Sequence, residues 1–146
     1  MKKILLVFIC FLKFFSYLYS LDLNSLKDYL GKDFSIVEKD LPNVMVINET
    51  YRYIYKDDES EYRIAFHLNN NTIFGITCTI IANCKYVAED YFLKWKKEYK
   101  ITPEGKLISD TLSEYSWIQS NNSFFIQINT DNFDNKYRVV LYILKT

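Results

Sequence analysis

His67 is the single histidine of this chain, so any scheme that needs an imidazole base or metal ligand has to run through it. A cysteine–histidine hydrolase would set it beside an activated thiolate, and Cys78 and Cys84 are the thiols within reach along the sequence. No local motif joins them, and one histidine without a companion pattern is weak support for catalysis. The acidic run Asp57-Asp58-Glu59-Ser60-Glu61 offers carboxylates for a hard cation. It lacks the alternating acids, the sixth-position glycine and the closing glutamate of a calcium loop, and a solvated hairpin tip explains it as well.

Two further clusters could bind rather than react. The stretch Lys94-Trp95-Lys96-Lys97-Glu98-Tyr99-Lys100 is the densest basic patch, with Lys94, Lys96, Lys97 and Lys100 able to meet an anionic partner. Its plainer explanation is the solvated side of a helix whose cations complement the C-terminal dipole. Tyr51, Tyr53 and Tyr55, with Tyr62 beside them, form a stripe on one strand face. Tyrosine suits interfaces because it offers a large area, few rotors and a polar tip. Its high strand propensity is the competing explanation, with the stripe packed under helices.

Phosphate-loop, dinucleotide-binding, zinc-protease and nucleophile-elbow patterns are all missing. The three glycines, Gly31, Gly75 and Gly105, lie too far apart for a loop that cradles phosphate. No cofactor is expected, and no catalytic or metal site is assigned. A pair of converging carboxylates leaves no motif, so a hydrolase of that type, or one using His67, stands as the alternative activity.

The elements that would position these residues can be read from hydrophobic periodicity. Leu23, Leu26, Tyr29 and Leu30 recur at helical spacing before Gly31. Phe34, Ile36 and Val37 then suggest a small strand, ended by Leu41-Pro42-Asn43. Three strands follow, Val44 to Tyr55, Glu61 to Leu68 and Thr72 to Ile81, with turns at 57–60 and 69–71. On the middle strand Tyr62, Ile64, Phe66 and Leu68 alternate with Arg63, Ala65 and His67, which places His67 away from the core face. Lys85 to Lys100 reads as a helix with Val87, Tyr91 and Trp95 along its stripe, and strands are expected at 112–119, 123–130 and 136–144. The sum is an α+β fold: an antiparallel sheet of about six strands with one or two helices packed on one face.

Charge divides the chain. Residues 1–20 hold Lys2, Lys3 and Lys13 and no acid, leaving 15 basic against 18 acidic groups beyond them. A cationic start, an apolar run from Ile4 to Leu12 and a small residue at Ser20 follow the order of a secretory signal peptide. Two segments are expected: a signal peptide at 1–20 and one α+β domain at 21–146. An uncleaved, membrane-tethered scaffold is the rival, since the membrane would then be reached through the N-terminus. Lys13 interrupts the apolar run that such an anchor needs. Export also favours a disulfide between Cys78 and Cys84, provided that the intervening residues turn back.

Lysine outnumbers arginine 15 to 3, the usage of an AT-rich genome. A net-acidic domain disfavours nucleic acid as a partner. The expectation is a small exported, non-enzymatic protein, periplasmic, in the cell envelope or secreted. It would bind a protein or glycan partner through a sheet face or edge.

Overall fold

The computed structural model describes residues 23, 25–41, 44–47, 50–56, 58–119, 124–133 and 136–145. The expected leader falls on residues 1–20, outside the described residues. Among the described residues no helix is long and apolar enough to cross a membrane.

Eight strands make one antiparallel sheet: β1 (Met45–Ile47), β2 (Thr50–Lys56), β3 (Ser60–Asn69), β4 (Thr72–Ala82), β5 (Gly105–Asp110), β6 (Glu114–Gln119), β7 (Phe124–Phe133) and β8 (Lys136–Lys145). Their order is β1-β2-β3-β4-β8-β7-β6-β5. Each half is a meander of four neighbours, and the halves meet where β4 pairs with β8. A single bridge between Asp33 and Thr72 adds one more extended contact. The helical elements are a 3-10 turn (Leu26–Tyr29), α1 (Ser35–Asp40) and α2 (Lys85–Glu98).

This architecture corrects the expected sheet of about six strands under one or two helices. The segment Val44 to Tyr55 is two strands, β1 and β2, folded back so that Val46 pairs with Tyr51. Gly105–Asp110, which reads as polar connection, is a full edge strand on β6. The expected strand at Phe34 to Val37 is helix α1 instead. Val37 and the flanking Phe34 and Leu41 are buried while Ile36 is exposed, a spacing of three and four rather than two. The Asp33 carboxylate accepts the Ser35 backbone N–H at 2.9 Å and so starts the turn. The expected first helix shrinks to the 3-10 turn, because Gly31 takes a φ of +78° and sends the chain across β4. There the Gly31 N–H donates to the Ile73 carbonyl at 2.7 Å, and the Ile73 N–H donates back to Lys32 at 3.0 Å. A side chain at that φ would be strained, which is why glycine ends the element.

The β3–β4 hairpin turns on Asn70 and Asn71, both at positive φ, while Asn69 pairs with Thr72. Two left-handed residues give the turn whose twist matches that of the flanking strands. From it the register carries across the sheet: Ile64 faces Cys78, which faces Leu141. Tyr53, Ile64, Phe66, Ile76, Cys78, Ile80, Ile126, Leu141 and Ile143 are all buried in one cluster with Leu26, Phe34, Val37, Phe92 and Trp95. The core therefore lies on one side of the sheet. Side chains one residue out of phase point to the other side, and no described helix contributes to that cluster from there.

Candidate functional site

The uncovered side of the sheet is built from the odd-numbered half of β3 and its cross-strand partners. Arg52 pairs with Ala65 and Ala65 with Thr77; Ile54 pairs with Arg63 and Arg63 with Thr79; Lys56 pairs with Glu61 and Glu61 with Ile81. Ile81 in turn pairs with Arg138 and Arg138 with Asp131. Apart from Lys56 and Asp131, which stand at its edge as ion-pair partners, these side chains line an open cleft of about 540 Å³ together with His67 and Lys136. All three arginines of the chain are on it, in a sequence that otherwise uses lysine.

The charges form local pairs. Arg138 holds Asp131 through two bonds, Nε to Oδ1 at 2.8 Å and Nη2 to Oδ2. Arg63 Nε donates to Glu61 Oε1 at 2.5 Å, and Lys56 Nζ lies 2.7 Å from Glu61 Oε2. Hydrogen bonds from Lys56 and then Arg63 hold the Glu61 carboxyl below the usual carboxylate range. His67 Nε2 is 2.9 Å from the Thr77 hydroxyl, and its ring centroid is 6.2 Å from that of Phe74. Half-burial, and secondarily the Arg52 charge, pushes the imidazole below its usual value.

The sign of that shift sets a prediction. A histidine kept neutral by the fold adds stability that is complete above its unfolded value of about 6.5 and lost as pH falls through the folded one. The His67 ring resonance should titrate with a midpoint below 6.5. Arg52→Gln should raise the midpoint without restoring it fully, since burial is the larger cause. A midpoint at or above 6.5 in the wild-type chain would mean that the ring is not enclosed.

The sequence-derived candidates are not brought together. Tyr51, Tyr53, Tyr55 and Tyr62 share the core side of the sheet, not the open one. Tyr53 and Tyr62 are buried, and Tyr51 packs against Phe34 with the rings tilted and their centroids 4.1 Å apart. The hydroxyls of Tyr62 and Tyr91 are 2.8 Å apart, so Tyr62 reaches the flank of α2. Tyr55, at the rim, remains 38% exposed. The lysines of α2 scatter likewise. Lys96 pairs with Asp110 and sits over the Tyr115 ring; Lys94 lies over Tyr91; Lys97 and Lys100 are exposed; and Glu98 in their midst pairs with Lys27.

Cys78 and Cys84 are both free thiols. Strand β4 runs on from Cys78 to Ala82, carrying the chain about 13 Å further at the usual strand rise. A bridge would need the two Cα atoms within roughly 7 Å. Cys78 is sealed in the core, where burial drives its thiol pKa well up, and Cys84 packs beside Ala82, Val87 and Ala88. Since Cys78 points to the core side and His67 to the open side, the thiol–imidazole pair is not assembled. Of the acidic run, Asp57 lies outside the described residues, Asp58 and Glu59 are exposed, and Glu61 turns onto the open face. Among the described residues no three of His, Cys, Asp and Glu stand close enough to hold a metal ion.

What sequence reasoning missed was Arg52, Arg63 and Arg138. Their rarity in a lysine-rich chain was the available signal, together with their phase opposite Tyr and Ile along the strands. Comparisons of the chain with family models, with curated proteins and with solved structures give no match.

Proposed function

We propose that this chain is an exported, non-enzymatic binding protein that engages a macromolecular partner through the open face of its sheet, in the periplasm, cell envelope or extracellular space. The observation that carries the reading is the gathering of all three arginines around one cleft on the side of the sheet opposite the described helices. Folding alone gives no reason for this placement, since exposed ion pairs on a sheet contribute little to stability. An open face with fixed cations and aliphatic floor residues instead suits a partner surface. Export rests on the order of charge and apolar residues at 1–20.

A photo-crosslinking amino acid tests the reading. Placed at Ile54, on the open face and 41% exposed, it should capture a discrete partner in intact cells. Placed at Leu93, 63% exposed on the outer side of α2, it should not. Equal yields from both positions, or capture from Leu93 alone, would overturn the choice of face.

A further inference from the structure

The three arginines of the open face are not in the same state. Arg138 carries the Asp131 carboxylate on its fork, and Arg63 carries that of Glu61, which Lys56 shares. Arg52 is exposed, and no described carboxylate forms an ion pair with it. Its electrostatic neighbour is His67, a base that Arg52 itself helps to keep uncharged. The face therefore shows the same side chain three times, twice holding a carboxylate of its own chain and once holding none among the described residues.

We propose that Arg52 anchors an acidic segment of a protein partner, whose glutamate or aspartate carboxylate takes the guanidinium fork in the cleft beside His67 and Thr77. This rests on the reading of the open face as the binding surface and names the chemistry that it recognises. A guanidinium presents two parallel N–H donors that match one carboxylate, a geometry that lysine cannot supply. Arg138 and Asp131 display that match a few strands away.

The surroundings select among anions. A phosphate dianion would call on a second free cation beside Arg52, whereas Arg138 holds Asp131, Arg63 shares Glu61 with Lys56, and Lys136 stands on β8, three strands from Arg52. A sugar acid would want a flat aromatic platform, whereas the cleft between the cations is floored by Ile54, Ala65 and Ile81. The methylenes of an acidic peptide side chain fit against those aliphatic groups while its head meets Arg52. Arg52 and Arg63 are diagonal neighbours across β2 and β3, since their register partners are Ala65 and Ile54. A segment laid across the strands passes from one to the other.

The probe is an acetylated, amidated oligoglutamate peptide, titrated into the full chain at low salt and followed by NMR. Saturable binding is expected, with shifts at His67 and Thr77 and a rise in the His67 midpoint as a carboxylate offsets the Arg52 charge. Arg52→Gln should weaken binding by about 10–100-fold, the range for a lost charge-assisted bond, with an unchanged thermal midpoint. Arg52→Lys should recover only part of the loss. An oligoglutamine peptide that binds as well, or an Arg52→Gln variant with wild-type affinity, would overturn the proposal. Tighter binding of oligogalacturonate or inorganic phosphate than of the peptide, still dependent on Arg52, would also overturn the acidic segment. Crosslinking from Ile54 without any oligoglutamate binding would do the same, while leaving the open-face reading intact.

Discussion

Replacing Trp95 by alanine is expected to remove about 3–5 kcal/mol of stability, visible as a lower urea midpoint with an unchanged slope. The indole is fully buried in the last turn of α2, within the cluster that joins the helix to Ile64, Ile80 and Leu141. No other side chain on α2 is at once so large and so enclosed; Phe92 and Val87 keep a little surface. The cavity left by alanine could not close without moving the helix on the sheet. Against the 5–15 kcal/mol of an ordinary domain, such a loss takes a large part of the total. Phenylalanine at the same position should be much milder. The Trp95 Nε1 has no hydrogen-bond partner among the described residues, so the swap removes an unsatisfied buried donor along with some volume. Trp117 gives the contrast, because its Nε1 donates to the Tyr99 carbonyl at 2.7 Å. Trp117→Phe should therefore cost more than Trp95→Phe, by about 1–3 kcal/mol for the partner left unmet. If the two tryptophans proved equivalent, the bonding difference between them would not hold in solution.

The helix that Trp95 anchors was among the most legible parts of the sequence. Val87, Tyr91 and Trp95 lie one turn apart, and α2 starts at Lys85 as the spacing implies. Strands β3, β4 and β8 were equally plain, since their β-branched and aromatic residues alternate over ten or eleven positions. Shorter elements were not. At Phe34 to Val37 three apolar residues in four positions fit either period, and Leu41 decides for the helix by packing on the sheet. Gly105–Asp110 begins with glycine and ends with aspartate, so it lacks the composition of a strand. It exists because β6 offers its outer edge, with a bulge between Leu107 and Ser109 to absorb the poor match.

The candidate site suffered from a different ambiguity. Alternation shows which residues of β2 and β3 share a side, but not which side the rest of the chain will cover. Tyrosine, with an apolar ring and a polar tip, suits either. The answer came from distant partners, Phe34 on Tyr51 and Tyr91 on Tyr62, which no local pattern reports. Once those contacts bury the tyrosine side, the arginine side is the free one. A lysine-biased composition then becomes informative, because arginine survives at three places and all three line the same cleft.

The sharpest consequence of that two-sided sheet is a pair of glutamates placed one residue apart. Ile64 is 1% exposed and is flanked in register by Tyr53 and Cys78, neither of which carries a positive charge. Ile64→Glu would bury a carboxylate without a partner, at a cost of about 4 kcal/mol or more, and should leave the chain largely unfolded by circular dichroism. Ala65, the next residue, faces the cleft and stands directly opposite Arg52 on β2. A glutamate there meets the Arg52 guanidinium, which no described carboxylate holds. Opposite charges at facing strand positions contribute about 0.2–1 kcal/mol, so Ala65→Glu should keep or slightly raise the melting temperature. It should also occupy the fork from within the chain and weaken oligoglutamate binding at least as much as Arg52→Gln, although Arg52 is still present. A variant that lost stability at residue 65, or that folded well yet bound the peptide unchanged, would show that the carboxylate does not land on Arg52.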